Sequence, residues 1–223
     1  MRFTKRFSLG LTILAIAVIM SSHPAQAQWV ADGQAYEGQL TLGIRAGFGF
    51  PTQSVIDRGI NGNTSSGVGP VLNFEAMYGI SKLVRLGMMF EYQNYSLSND
   101  TNPVRGNGSG ASLGTLHTVS LLPTVEVRPG RLGPIAPYVS AGIGVNINSF
   151  SEDGYMGATR LSPDSTFAFR LAGGMDYPIT QQLSLNTELA WKRNNGGYQI
   201  NGSNQGAFDA SALNFLLGLR MTF

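Results

Sequence analysis

The 223-residue chain has no cysteine, two histidines, and charged side chains at only 13% of its positions. Each shortage removes a class of protein. Without cysteine there is neither a disulfide framework nor a thiolate metal site. His23 and His117 lie far apart and form no cluster, so no metal site and no cofactor is expected. A charge content about half of the roughly 25% usual for a soluble domain argues against an ordinary water-soluble fold. Long apolar runs are missing too: beyond residue 27 nothing approaches the roughly 20 apolar residues of a membrane helix. No lysine- or arginine-rich cluster marks nucleic-acid binding.

The N-terminus carries Arg2, Lys5 and Arg6, an uncharged stretch from Phe7 to Met20, and the small-residue sequence Ala25-Gln26-Ala27. A basic segment, a short apolar segment and an Ala-x-Ala site predict a signal peptide over residues 1–27, cleaved after Ala27. The apolar part, Leu9 to Met20, is too short for a membrane anchor. Cleavage removes three of the fifteen basic residues and none of the thirteen acidic ones, leaving a net charge of −1. The basic character therefore belongs to the leader. Residues 28–223 are read as one domain.

Within that domain eight segments put an apolar side chain at every second position, the period of an extended strand with one greasy face. They are Gln39 to Phe50, Val68 to Ile80, Lys82 to Tyr95, Thr115 to Arg128, Ile135 to Phe150, Ser165 to Pro178, Gln182 to Arg193, and Leu213 to Phe223. In the last, Leu213, Phe215, Leu217, Leu219, Met221 and Phe223 share one face, and Asn214, Leu216, Gly218, Arg220 and Thr222 the other. Links around Ser81, Pro129 to Pro134 and Ile179 to Gln181 are short. Those at Pro51 to Gly67, Ser96 to Gly114, Ser151 to Asp164 and Asn194 to Asp209 are long and rich in Gly, Asn, Ser and Asp. Short turns at one rim and long loops at the other predict an all-β, eight-stranded antiparallel transmembrane β-barrel, an up-and-down meander. Phe48, Phe50, Phe90, Tyr92, Phe167 and Trp191 would mark the loop-side girdle, and Tyr78, Tyr177 and Phe223 the turn-side one.

The polar faces hold nearly all the strand charges: Arg45, Arg85, Arg128, Arg170, Lys192 and Arg220 against Glu75, Glu91, Glu126, Asp176 and Glu188. An eight-stranded barrel is only wide enough for side chains to fill, and buried unpaired ions cost several kcal/mol each. These groups are therefore expected to pair across the lumen. Arg45, Glu75, Arg170 and Glu188 should fall near mid-height, with Arg85, Glu126, Asp176 and Arg220 nearer the turns. A structural plug is favoured over a polar conduit. The inward glycines (Gly43, Gly47, Gly49, Gly87, Gly142, Gly144, Gly174 and Gly218) would make room for long arginines. His117 has Ser120 three residues away on the opposite face, which leaves a catalytic triad unsupported. No catalytic residue is assigned and no enzyme is expected.

Pro137-Tyr138-Val139-Ser140-Ala141-Gly142-Ile143-Gly144-Val145 resembles the "PYVGAGIG" strand of small outer-membrane barrels of the OmpA/OmpW-like group. Leu171 to Tyr177 followed by Leu183 to Trp191 is similar to that group's sixth and seventh strands. The ending resembles its C-terminal assembly signal, with Gly218, Met221 and Phe223 in place and Leu216 departing from the usual polar residue. The resemblance implies a Gram-negative outer-membrane location, with both termini and the short turns in the periplasm. It also implies outer-membrane lipids, lipopolysaccharide and the barrel-assembly machinery as partners, and a monomer is expected. A non-enzymatic, structural, loop-displaying envelope protein is the leading expectation. A narrow OmpW-like channel for small or hydrophobic solutes is the alternative, and a lipid-modifying enzyme is disfavoured.

Overall fold

A computed structural model of the chain describes residues 36–53, 55, 64–99, 111–152 and 161–223. The expected signal peptide, residues 1–27, lies outside them. Every regular element among the described residues is a strand: β1 Leu40–Pro51, β2 Thr64–Ser66, β3 Gly69–Gly79, β4 Val84–Asn99, β5 Ala111–Val127, β6 Ala136–Glu152, β7 Leu161–Pro163, β8 Thr166–Pro178, β9 Leu183–Arg193, β10 Asn195–Ile200, β11 Ser203–Asp209 and β12 Ala212–Thr222. Eight of them close in the order β1-β3-β4-β5-β6-β8-β9-β12, each antiparallel to its neighbours. The cylinder shuts where β12 returns to β1, with Leu42 opposite Met221 and Phe50 opposite Leu213. Closure leaves no free edge in the hydrocarbon, where an unpaired backbone group would cost several kcal/mol.

The alternation decides which face each side chain takes. Phe167, Phe48, Leu171 and Phe215 face outward and are 64%, 58%, 51% and 51% exposed, whereas Arg45, Asn73 and Glu91 point inward at 0%. That inversion of a soluble fold is stable only against lipid, where each large apolar side chain removed from water contributes about 1.5–3 kcal/mol.

Two of the short turns are built alike. Ser81 Oγ accepts the N–H groups of Leu83 and Val84, and Ile80 N–H donates to the Val84 carbonyl. Thr180 Oγ1 accepts from Gln182 and Leu183, and Ile179 N–H donates to Leu183. A hydroxyl that folds back onto nearby backbone N–H groups favours a turn over continued strand.

The loop end departs from the sequence reading. β4 and β5 run to Asn99 and from Ala111, past the expected ends at Tyr95 and Thr115, because Leu97, Leu113 and Leu116 find an apolar interior there. The stretch Asn194 to Asp209, read as a loop, folds as the β10–β11 hairpin and pairs through β10 with β7. Its apolar residues sit among Gly and Asn, which masks the alternation. Midway along β5, Pro123 interrupts the wall. The β5–β6 ladder stops at Leu121–Val145 and resumes in the same register at Thr124–Gly142, since proline has no N–H to offer.

Candidate functional site

Inward positions on all eight barrel strands supply one continuous polar interior. At its centre Glu188 on β9 joins two arginines: its Oε2 lies 2.7 Å from Arg45 Nη1 and its Oε1 2.5 Å from Arg170 Nη2. Arg45 continues to Glu75 at 2.5 Å, and Glu75 to Arg220. Arg220 reaches Glu126 at 2.8 Å and Asp176 at 3.2 Å, and both carboxylates also hold Arg128, at 2.5 and 2.6 Å. Toward the loops Arg170 contacts Glu91 at 3.2 Å, and Glu91 contacts Lys192 at 2.9 Å. Arg85 meets Glu126 at 3.6 Å. Charges thus alternate in one chain from Lys192 to Arg85, and every carboxylate is shared by at least two cations.

Neutral groups satisfy the remaining valences. Asn73 Oδ1 accepts from Arg45 Nε and Nη2 at 3.2 and 2.7 Å, while its amide donates to Glu91 at 3.3 Å. Tyr138 donates its hydroxyl to Glu188 at 2.9 Å, and Asn186 donates to Asp176 at 2.6 Å. Asn214 donates to Glu91, and Ser120 accepts from Lys192. Sequence reasoning missed these bridges because an isolated asparagine or tyrosine on a polar face carries no signal of its own.

Two inward glycines let these long side chains fit. A Cβ at Gly174 would collide with the Tyr138 hydroxyl, and one at Gly218 with the Ile44 carbonyl and Arg45. Gly218 sits opposite Arg45, Met221 faces outward, and Phe223 exchanges backbone hydrogen bonds with Leu40. Leu216 is fully buried in the lumen.

Above the ions lies an uncharged belt. Thr118 donates to Asn148 at 2.8 Å, Asn194 donates to Asn148 at 2.9 Å, and Thr166 donates to Asn194 at 2.6 Å. Above the belt is an apolar cap of Val55, Tyr95, Leu97, Leu113, Leu116, Leu161, Tyr198, Phe208, Ala210 and Ala212. A smaller apolar patch of Met89, Leu122 and Ala168 lines the inner wall beside Pro123. At the opposite end the Tyr36 ring stacks 3.9 Å from Arg85 Cζ and 4.8 Å from Arg128 Cζ. Tyr36 lies in the polar lead before β1, which the alternation did not cover.

His117 faces outward, its Nδ1 2.8 Å from the Tyr92 hydroxyl. Ser120 points into the lumen and donates to Asn146 at 2.7 Å. The two are not brought together. Among the described residues no group of histidine, aspartate and glutamate could hold a metal ion.

No curated protein matches the chain. Among solved structures it is similar to the crystal structure of the outer membrane protein OprG from Pseudomonas aeruginosa, with a TM-score of 0.68 at 11% identity, covering 86% of this chain and 98% of that one. It is similar to AlkL, solved by solid-state NMR in DMPC bilayers, with a TM-score of 0.54 at 14% identity over 88% and 95% of the two chains. Neisserial surface protein A gives 0.50 at 14% identity over 84% and 98%. At such identities the likeness is one of fold. The sequence itself matches the family described as outer membrane protein beta-barrel domain over residues 12–221, so this chain belongs to that family and is an integral β-barrel of the outer membrane.

Proposed function

We propose that the protein is a non-enzymatic envelope barrel whose lumen is closed to through-passage and whose wall carries surface loops. The observation that supports this is the ion chain from Lys192 to Arg85, whose members are all buried. Opening a pore along it would separate ions in a low-dielectric interior, at several kcal/mol each. The short turns and both chain ends face the periplasm, and the β10–β11 hairpin faces the exterior. Outer-membrane lipids and lipopolysaccharide bathe the apolar belt, the barrel works as a monomer, and its C-terminal strand is recognised by the assembly machinery. Reconstitution into a planar bilayer tests the closed lumen. Silence is expected, and steady unitary conductance overturns it.

A second reading is favoured by a different observation. The apolar cap at the mouth and the Met89–Leu122–Ala168 patch lie on the lumen side of a wall whose ladder Pro123 breaks. A small apolar solute caught at the mouth would meet the ions below and leave sideways into the bilayer at that seam. Uptake of a fluorescent apolar probe into cells, reduced by Pro123→Val with conductance still absent, would establish this route.

A further inference from the structure

The two ends of the lumen are closed by different parts of the chain. At the loop end the apolar cap draws on β4, β5, β7, β10, β11 and β12. At the turn end the inward positions closing five strands, Thr41, Gly79, Ala136, Ser184 and Thr222, are all small. Yet Arg85 and Arg128 beside them are 1% and 2% exposed. Their cover comes from Tyr36, which precedes β1 and belongs to no strand. The lead turns at Gly38, where φ is 78°. Gly38 N–H donates to the Gly79 carbonyl at 2.9 Å, and Gln39 N–H to the Tyr36 carbonyl at 3.1 Å. This lays the phenol ring 3.9 Å from Arg85 Cζ and 4.8 Å from Arg128 Cζ, and Arg128 Nη1 donates to its hydroxyl at 3.4 Å. Gly79 admits the strap, because a Cβ there would stand 1.5 Å from the Tyr36 carbonyl oxygen.

We infer that this strap is a lid: Tyr36 seals the turn end of the lumen, and lifting it wets Arg85 and Arg128 while the centre of the ion chain stays closed. The inference rests on the closed-lumen reading above and says what controls one end of it. Lifting the ring leaves the barrel ladder whole, since β1 pairs with β3 only from Leu40 onward. The closed state also leaves something to gain. Arg85 Nε has no hydrogen-bond partner, and its one carboxylate, on Glu126, stands at 3.6 Å. Water entering under a raised lid would satisfy that buried donor, which offsets part of the lost cation–π stack. The centre is held without the lid. Tyr138 stacks 4.3 Å from Arg220 Cζ and gives its hydroxyl to Glu188, so a second ring stands between the turn-side arginines and the middle of the network.

The experiment treats the folded barrel in detergent with methylglyoxal, a small arginine reagent, and reads the adduct at each arginine by peptide mass spectrometry. Arg131, exposed in the adjoining turn, sets the full rate, and buried Arg170 reports on the centre. In the wild type Arg131 should react while Arg85, Arg128 and Arg170 stay protected. Tyr36→Ala should expose Arg85 and Arg128 and leave Arg170 protected. Tyr36→Phe keeps the ring and should keep the protection. Gly79→Ala dislodges the strap with Tyr36 intact and should expose the same two arginines. Tyr36→Ala removes nothing from the wall, so it carries the test even if Gly79→Ala fails to fold. Continued protection of Arg85 in Tyr36→Ala or in folded Gly79→Ala overturns the lid, as does its exposure in Tyr36→Phe. Exposure of Arg170 in Tyr36→Ala also overturns it, since the ring would then brace the whole lumen. Reaction of Arg85 alone in the wild type sinks the lid and spares the closed centre, whereas reaction of Arg170 there sinks both.

Discussion

Replacing Glu188 by alanine would cut the lumen network at its midpoint. The carboxylate accepts from Arg45 at 2.7 Å, Arg170 at 2.5 Å and the Tyr138 hydroxyl at 2.9 Å, and it is 2% exposed. Breaking a buried pair by removing one partner costs about 3–5 kcal/mol. Here the lower end applies, because Arg45 keeps Glu75 and Arg170 keeps Glu91. A loss of about 3 kcal/mol raises the unfolding constant somewhat over a hundredfold, since about 1.4 kcal/mol is a factor of ten. With a urea slope of about 2 kcal/mol per molar, the midpoint should fall by roughly 1–2 M. Unfolding in detergent, followed by tryptophan fluorescence and by the mobility of unheated protein on a gel, measures this. Glu188→Gln keeps the shape but only one of the two acceptor oxygens, and should lose less than the alanine variant. In a double-mutant cycle Arg170→Ala and Glu188→Ala should couple by about 1–3 kcal/mol. Strict additivity, or a Glu188→Ala midpoint equal to the wild type's, would refute the idea of a shared ion chain.

Other perturbations probe the wall and the rims. The chain has no cysteine, so Ser203→Cys, in the β10–β11 hairpin, should react with an impermeant maleimide on intact cells. Lys82→Cys, in a short turn, should react only after the envelope is opened, and the reverse pattern would invert the orientation. Gly218→Val should prevent β12 from closing on β1, because the added carbons meet the Ile44 carbonyl; refolding yield by gel shift reports it. Leu97→Ala, at a residue 1% exposed in the apolar cap, should cost about 2–4 kcal/mol and speed proteolysis of the outer hairpins before the barrel. Pro123→Val restores an N–H at the β5–β6 seam and should raise stability by about 1 kcal/mol, read as a higher urea midpoint.

The strand periodicity was legible because a wall with lipid on one side forces period two, and Arg45, Glu75, Arg170 and Glu188 announced themselves as charges on the polar parity. Which carboxylate meets which guanidinium was not legible, since partners such as Arg45 and Glu188 stand on strands that are not sheet neighbours. The apolar cap escaped notice for a different reason. Tyr198 and Phe208 lie between glycines and asparagines, whose turn preference outweighs a few apolar residues in any short window. Tyr36 carries no signal in the sequence because a lone aromatic before the first strand has no periodic context, and only the arginines beneath it give it a role.

Arg45 on β1 reaches Glu188 on β9, Arg220 on β12 reaches Glu126 on β5, and Arg170 on β8 reaches Glu91 on β4. The tie from β12 to β5 joins opposite strands, that from β8 to β4 spans three strand steps, and that from β1 to β9 bridges over β12, so each leaves the skin of the cylinder for its interior. A tube of eight ribbons joined only edge to edge can be squeezed oval by lateral pressure from the surrounding bilayer, and these spokes oppose that flattening. The section of wall around the ion chain should therefore hold its outline under lateral load, leaving the uncharged belt and the apolar cap to brace the loop-side mouth.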